Sequence, residues 1–175
     1  VQAIAIVALC VAAAVGYGIV HDQITARICV EYFTIGHPPV FGTDDPTLLG
    51  LGWDVIATWW VGVMLGVPTA LVARVGSRPK RDARSLVPLL GGLLATVAVM
   101  ASLAGVVGYR LASSGRIHLF GWLAKEIPSD IHVRFLVCAC MHDMSYFTGF
   151  VGGLVCMALI WRWRAREART VTVAS

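Results

Sequence analysis

Between positions 138 and 144 the chain reads Cys138-Ala139-Cys140-Met141-His142-Asp143-Met144, which gathers two thiols, two thioethers, an imidazole and a carboxylate in one short run. Soft sulfur combined with imidazole suits copper, and zinc or haem iron less well. Cys138 and His142 stand four residues apart, as do Cys140 and Met144, so on a helix each pair shares a face, but the two pairs face different ways. One helix therefore cannot direct all of these groups at a single ion. His21 and Asp22, in the first part of the chain, supply an imidazole and a carboxylate able to complete the shell, with Asp able to orient a histidine ring. The candidate metal set is His142, Asp143, Cys138, Cys140, Met141, Met144, His21 and Asp22. Its spacing follows no paired Cys-x-x-Cys zinc pattern.

The same residues have a plain structural use. Cys and Met fill irregular gaps between helices, and His142 can be satisfied by Tyr146, Thr25 or a backbone carbonyl; on that reading there is no cofactor. A third use is thiol chemistry. Cys29 with Cys138 or Cys140 can form a bridge in an oxidising compartment, whereas a catalytic relay from thiols to quinone ordinarily employs Cys-x-x-Cys, which is missing here. A structural bridge therefore ranks above a relay.

The elements that must position these groups are helices in a membrane. Hydrophobic residues make up 58% of the 175 positions and charged residues 14%, against about 25% charged in ordinary soluble domains. Uncharged runs cover Val1–Val20, Val55–Ala73, Leu86–Tyr109 and Met144–Trp161, each long enough to cross about 30 Å of hydrocarbon. Backbone groups in lipid must be satisfied within their own segment, so these runs predict helices, and a nucleic-acid partner is excluded. The expected fold is all-α: an integral membrane four-helix bundle forming one domain over residues 1–175. Its spans lie near 1–20, 52–74, 86–109 and 143–162, with outer-face segments at 21–50 and 110–142. Val1–Val20 lacks a basic leader and exceeds the usual signal core of about 7–15 residues, so it is expected to be a retained span.

The first connector holds Arg27 alone, while the second holds Arg74, Arg78, Lys80, Arg81 and Arg84, the third Arg110, Arg116, Lys125 and Arg134, and the tail Arg162, Arg164, Arg166 and Arg169. The positive-inside rule then puts both termini in the cytoplasm. All five histidines fall on the outer side, together with most of the acidic residues and Cys29, Cys138 and Cys140.

Helix limits are marked by Asp45-Pro46 (a cap and a proline at the first helical position), by Ser85, and by Pro128-Ser129. No proline interrupts Gln2–Thr34 or Asp130–Trp163, so each is expected to be a continuous helix projecting beyond the bilayer, with Arg27 and Glu31 paired four apart. On these helices His21, Thr25, Ile28 and Tyr32 share a stripe, as do Cys138, His142, Tyr146, Gly149 and Gly153. His21 and His142 are therefore expected to approach one another. Gly62/Gly66 and Gly149/Gly153, with Ala12/Gly16 as a looser case, are spaced for close helix contact, and Gly115–Ile127 has the pattern of an interfacial amphipathic helix.

The string His21-Asp22-Gln23-Ile24-Thr25-Ala26-Arg27-Ile28-Cys29-Val30-Glu31-Tyr32-Phe33-Thr34-Ile35-Gly36-His37-Pro38 resembles a segment of uncharacterised bacterial multi-span membrane proteins. The resemblance covers about a tenth of the chain and implies a bacterial inner membrane and a periplasmic outer face; it brings no catalytic residue. Three function classes follow: a membrane protein whose outer-face His/Asp/Cys/Met cluster binds a metal, copper favoured; a non-catalytic accessory subunit contacting a larger membrane complex or a second copy of itself; and a thiol–quinone oxidoreductase.

Overall fold

The long apolar runs fold as helices, and the helices extend past the runs. A computed structural model describes residues 1–174, with side chains described to residue 170. The order is α1 (Gln2–Ile28), the single turn α2 (Glu31–Thr34), α3 (Pro46–Arg74), α4 (Ala83–Ser113), the single turn α5 (Leu123–Glu126) and α6 (His132–Ala174), with no strand among the described residues. The helices α1, α3, α4 and the Gln-free stretch His132–Thr170 of α6 are each long and apolar enough to cross a membrane. The shortest of them, α1, has 27 residues, about 40 Å at 1.5 Å per residue. Large apolar side chains such as Val99, Leu103, Phe147 and Leu154 are exposed along their outer faces, an arrangement that suits a lipid bilayer as solvent.

Glycines set the pairing. A Cβ on Gly62 would lie 2.5 Å from the Val11 Cα, and one on Gly66 would lie 3.2 Å from the Val7 Cα, while Gly50 meets the Asp22 backbone. As α3 advances α1 recedes, so the two are antiparallel at backbone contact. The second close pair is α4 with α6, where Gly105 receives Met141 and Gly108 receives Cys140. The C-termini of α1 and α4 and the N-termini of α3 and α6 thus meet at one end. The Gly62/Gly66 pattern is a true helix contact. Of the Gly149/Gly153 pair, Gly153 meets the Leu65 side chain of α3 at 3.2 Å, whereas Gly149, like Gly16 on α1, has nothing near the place of a Cβ.

Buried residues gather at both ends. Ile6, Cys10, Ala70, Ala73, Leu86 and Ile160 form one cluster. At the opposite end Cys29, Leu119, Ile127, Ile131, Phe135 and Cys138 form a second, beside Ala26, Phe33, Leu49 and Trp53. The first end is locked by Arg164, 1% exposed. Its guanidinium donates to the carbonyls of Val72, Val75, Arg78 and Pro79, which satisfies orphan acceptors where α3 ends.

Four local expectations change. The first helix does not run to Thr34: it stops at Ile28, Cys29 is extended (φ −154°, ψ 98°), and the chain re-enters as α2. The break lets both Cys29 and Phe33 turn into the protein, where they are 1% and 2% exposed. Arg27 then cannot reach Glu31 and bonds Gln23 and Thr47 instead. The cap of α4 is Asp82, which accepts from the Ser85 N–H, so Ser85 lies inside the helix. Finally, Gly115 (φ +70°) and Gly121 (φ +65°) take the left-handed conformation, which ends any helix through 115–127. That segment folds onto the end of the protein, burying Leu119 and Ile127 while Phe120 and Trp122 remain exposed.

Candidate metal centre

Residues 120 apart in sequence meet where the end of α1 crosses the start of α6. His21 and Asp22 are 7% and 6% exposed, and the His142 side chain is 12% exposed. The His21 and His142 ring centroids stand 4.6 Å apart, edge to face, and one ligand atom from each of His21, Asp22 and His142 lies within 4.8 Å of the others. A tetrahedral site with bonds of about 2 Å sets its donors about 3.3 Å apart. Side-chain closure of at most about 1.5 Å therefore brings these three groups onto one ion.

The protonation pattern of His142 follows from its partners. Its Nδ1 lies 2.8 Å from the Cys138 carbonyl, which can only accept, so Nδ1 carries hydrogen. In the neutral ring Nε2 is then a lone pair, and it faces Asp22 Oδ1 at 3.1 Å. Two acceptors at that distance need a positive species between them, either a proton or a metal cation. His21 completes the picture. Its Nε2 is buried without a hydrogen-bond partner, while Nδ1 faces the Tyr17 hydroxyl at 3.4 Å and Tyr17 in turn bonds Ser145 Oγ at 2.9 Å. Tyr32 stacks on the His142 ring with centroids 4.5 Å apart, fixing its plane; burial pushes the Tyr32 hydroxyl above its ordinary range, with Asp143 adding to the effect.

Of the expected metal set, His21, Asp22 and His142 come together and the sulfur atoms turn elsewhere. Cys138 is buried and its thiol donates to the Thr25 carbonyl at 3.4 Å. Cys140 and Met141 pack into the notches at Gly108 and Gly105 of α4. Asp143 is exposed and Met144 half-buried. The reason is the 100° step per residue: with His142 facing α1, residues 140, 141, 143 and 144 are carried away from it. The donor set that assembles is two nitrogens and a carboxylate, without sulfur.

All five cysteines are free. Cys29 and Cys138 nevertheless belong to one buried cluster, in which the Cys29 thiol donates to Glu31 Oε2 at 3.3 Å.

A cavity of about 450 Å³ runs from this centre between the helices to Cys10 and Cys156. Asp54, a lining residue of that cavity, is 1% exposed and neither carboxylate oxygen has a hydrogen-bond partner. Its position carried a signal in the sequence: it is the single charged residue between Asp45 and Arg74, and an ionisable group in an apolar span is a functional candidate. Tyr17 and Ser145 carried none beyond their helical register with His21 and His142. No family model, curated protein or solved structure matches the chain.

Proposed function

We propose that this chain is an integral membrane four-helix bundle that holds a divalent transition-metal ion between α1 and α6 through His21, Asp22 and His142. The observation that carries the reading is the convergence of three buried ligand atoms in which one imidazole nitrogen faces a carboxylate acceptor to acceptor and a second imidazole nitrogen has no partner. A metal cation satisfies all three at once, which a proton between His142 and Asp22 does not. Imidazole and carboxylate suit copper(II), zinc and iron(II), and among divalent ions copper binds such donors most tightly. The Cys138 carbonyl that accepts from His142 Nδ1, and Tyr17 beside His21, orient the two rings from behind the ligands.

The basic second connector and tail support a reading with cytoplasmic termini and the metal end on the outer face, which in a bacterial inner membrane is the periplasmic side. The role is that of a metal-binding membrane protein, and the lipid bilayer is its first partner.

The test is elemental analysis of protein purified in mild detergent, followed by chelation and titration with copper(II) and zinc. The expected result is one ion per chain, with His142→Ala or Asp22→Ala weakening it by at least about tenfold and His118→Ala leaving it unchanged. Affinity falls as pH drops through the histidine range, because a protonated imidazole has no lone pair to give. Folded wild-type protein that takes up neither ion, or an H142A variant that binds as tightly as wild type, overturns the reading.

A further inference from the structure

The metal ligands occupy one end of the cavity and leave most of its wall apolar. The lining includes two carboxylates, Asp22 and Asp54, and three imidazoles, and it includes no lysine or arginine. Asp54 stands a helical turn deeper than Asp22, held against the backbone of α1 at Gly18, and its carboxylate is both buried and unpartnered. An isolated carboxylate in such surroundings is costly to keep unless a donor or a positive charge meets it. Rings of Tyr17, Trp53, Trp60, Tyr146 and Phe150 line the same space, and aromatic faces attract cations. The volume lies within the range that takes a small organic molecule.

We infer that this cavity is a binding site for a lipophilic organic cation: a protonated amine carried on a flat or branched apolar body. The ammonium N–H donates to Asp54, whose side chain turns about its own Cα–Cβ bond to meet it, and the body lies among the aromatic rings towards Cys10 and Cys156. Its anchor is the Asp54 carboxylate, which is not one of the metal ligands, so the two readings can fail separately.

The experiment uses the full chain in nanodiscs of neutral phosphatidylcholine, where anionic lipid does not compete for the dye. Binding of 9-aminoacridine, a cation at pH 7.5, is followed by fluorescence polarisation beside acridine, which has the same shape and is neutral there. Saturable binding of one 9-aminoacridine per chain, about tenfold or more tighter than acridine, is expected. Asp54→Asn should weaken it by about tenfold, Ala14→Phe should block it by filling the cavity, and His118→Ala, outside the cavity lining, should leave it intact. Absence of saturable binding, equal binding of acridine, or an unchanged affinity in both D54N and A14F overturns the proposal. If D54N does not fold, A14F and the acridine comparison decide it.

Discussion

Gly18 and Asp54 offer the sharpest test of the helix contact beneath the candidate metal centre. A Cβ on Gly18 would lie 1.5 Å from Asp54 Oδ1 and 2.6 Å from its Cγ, with Thr58 Cγ2 at 3.0 Å. Because Asp54 is buried against α1, the carboxylate must be displaced by nearly 2 Å, turning towards the cavity it lines, and overpacking of this kind costs about 1–3 kcal/mol. Alanine in place of glycine returns up to about 1 kcal/mol of helix propensity. Gly18→Ala is therefore expected to destabilise by about 1 kcal/mol net. Asp54→Ala removes a buried group that has no partner, so its own effect should fall within about 1 kcal/mol of zero. In the Asp54→Ala background the clash is gone and Gly18→Ala should become neutral or slightly stabilising, a coupling of about 2 kcal/mol between the two positions. Gly16→Ala, two residues away with open space around it, is the control and should not destabilise. Reversible unfolding in mixed micelles with increasing dodecyl sulfate measures all four. Additive effects at Gly18 and Asp54, to within about 0.5 kcal/mol, would refute the contact and with it the placement of the carboxylate.

Three further outcomes are expected. Arg164→Ala strips hydrogen bonds from the carbonyls of Val72, Val75, Arg78 and Pro79 and should cost about 3 kcal/mol, whereas Glu167→Ala, which breaks the more exposed pair with Arg81, should cost less than about 1 kcal/mol; equal losses in the same unfolding assay would count against the lock. Cysteines introduced at Asp44 and at Arg81, in a background lacking native cysteines, should be labelled by an impermeant maleimide on intact cells at position 44 only, and the reverse pattern would move the His21/Asp22/His142 end to the cytoplasm. Hydrogen bonds from Ser85 hold the Asp82 carboxyl below the ordinary carboxylate range, so the cap on α4 is fully present above the unfolded value of about pH 3.9 and is lost as pH falls through the lower folded value; the protection factor of the Ser85 amide, its exchange rate corrected for the intrinsic pH dependence, should be constant above about pH 3.9 and fall only as the pH goes below it.

Much of the architecture was legible in the chain because lipid imposes a rule that local composition obeys: an uncharged run of this length closes its hydrogen bonds as a helix whatever it later packs against. The cap at Asp45-Pro46 was legible for the same local reason, and Asp45 does accept from the N–H groups of Thr47 and Leu48. Helical stepping likewise put His142 on a packing face and His21 on a stripe able to meet it. The selection within the metal set was beyond such reasoning. Sulfur and imidazole adjacent in sequence look like one site, yet a helix disperses neighbours around its circumference, and only the close approach of α4 at Gly105 and Gly108 drew Met141 and Cys140 away from His142. The break at Cys29 was equally non-local, because no proline or glycine marks it and its reason is the burial of Cys29 and Phe33 against other elements. Asp54 shows both halves: its charge in an apolar run was visible from composition, but that it stands buried, unpartnered and pressed onto Gly18 depends on how near two helices come, which packing alone decides.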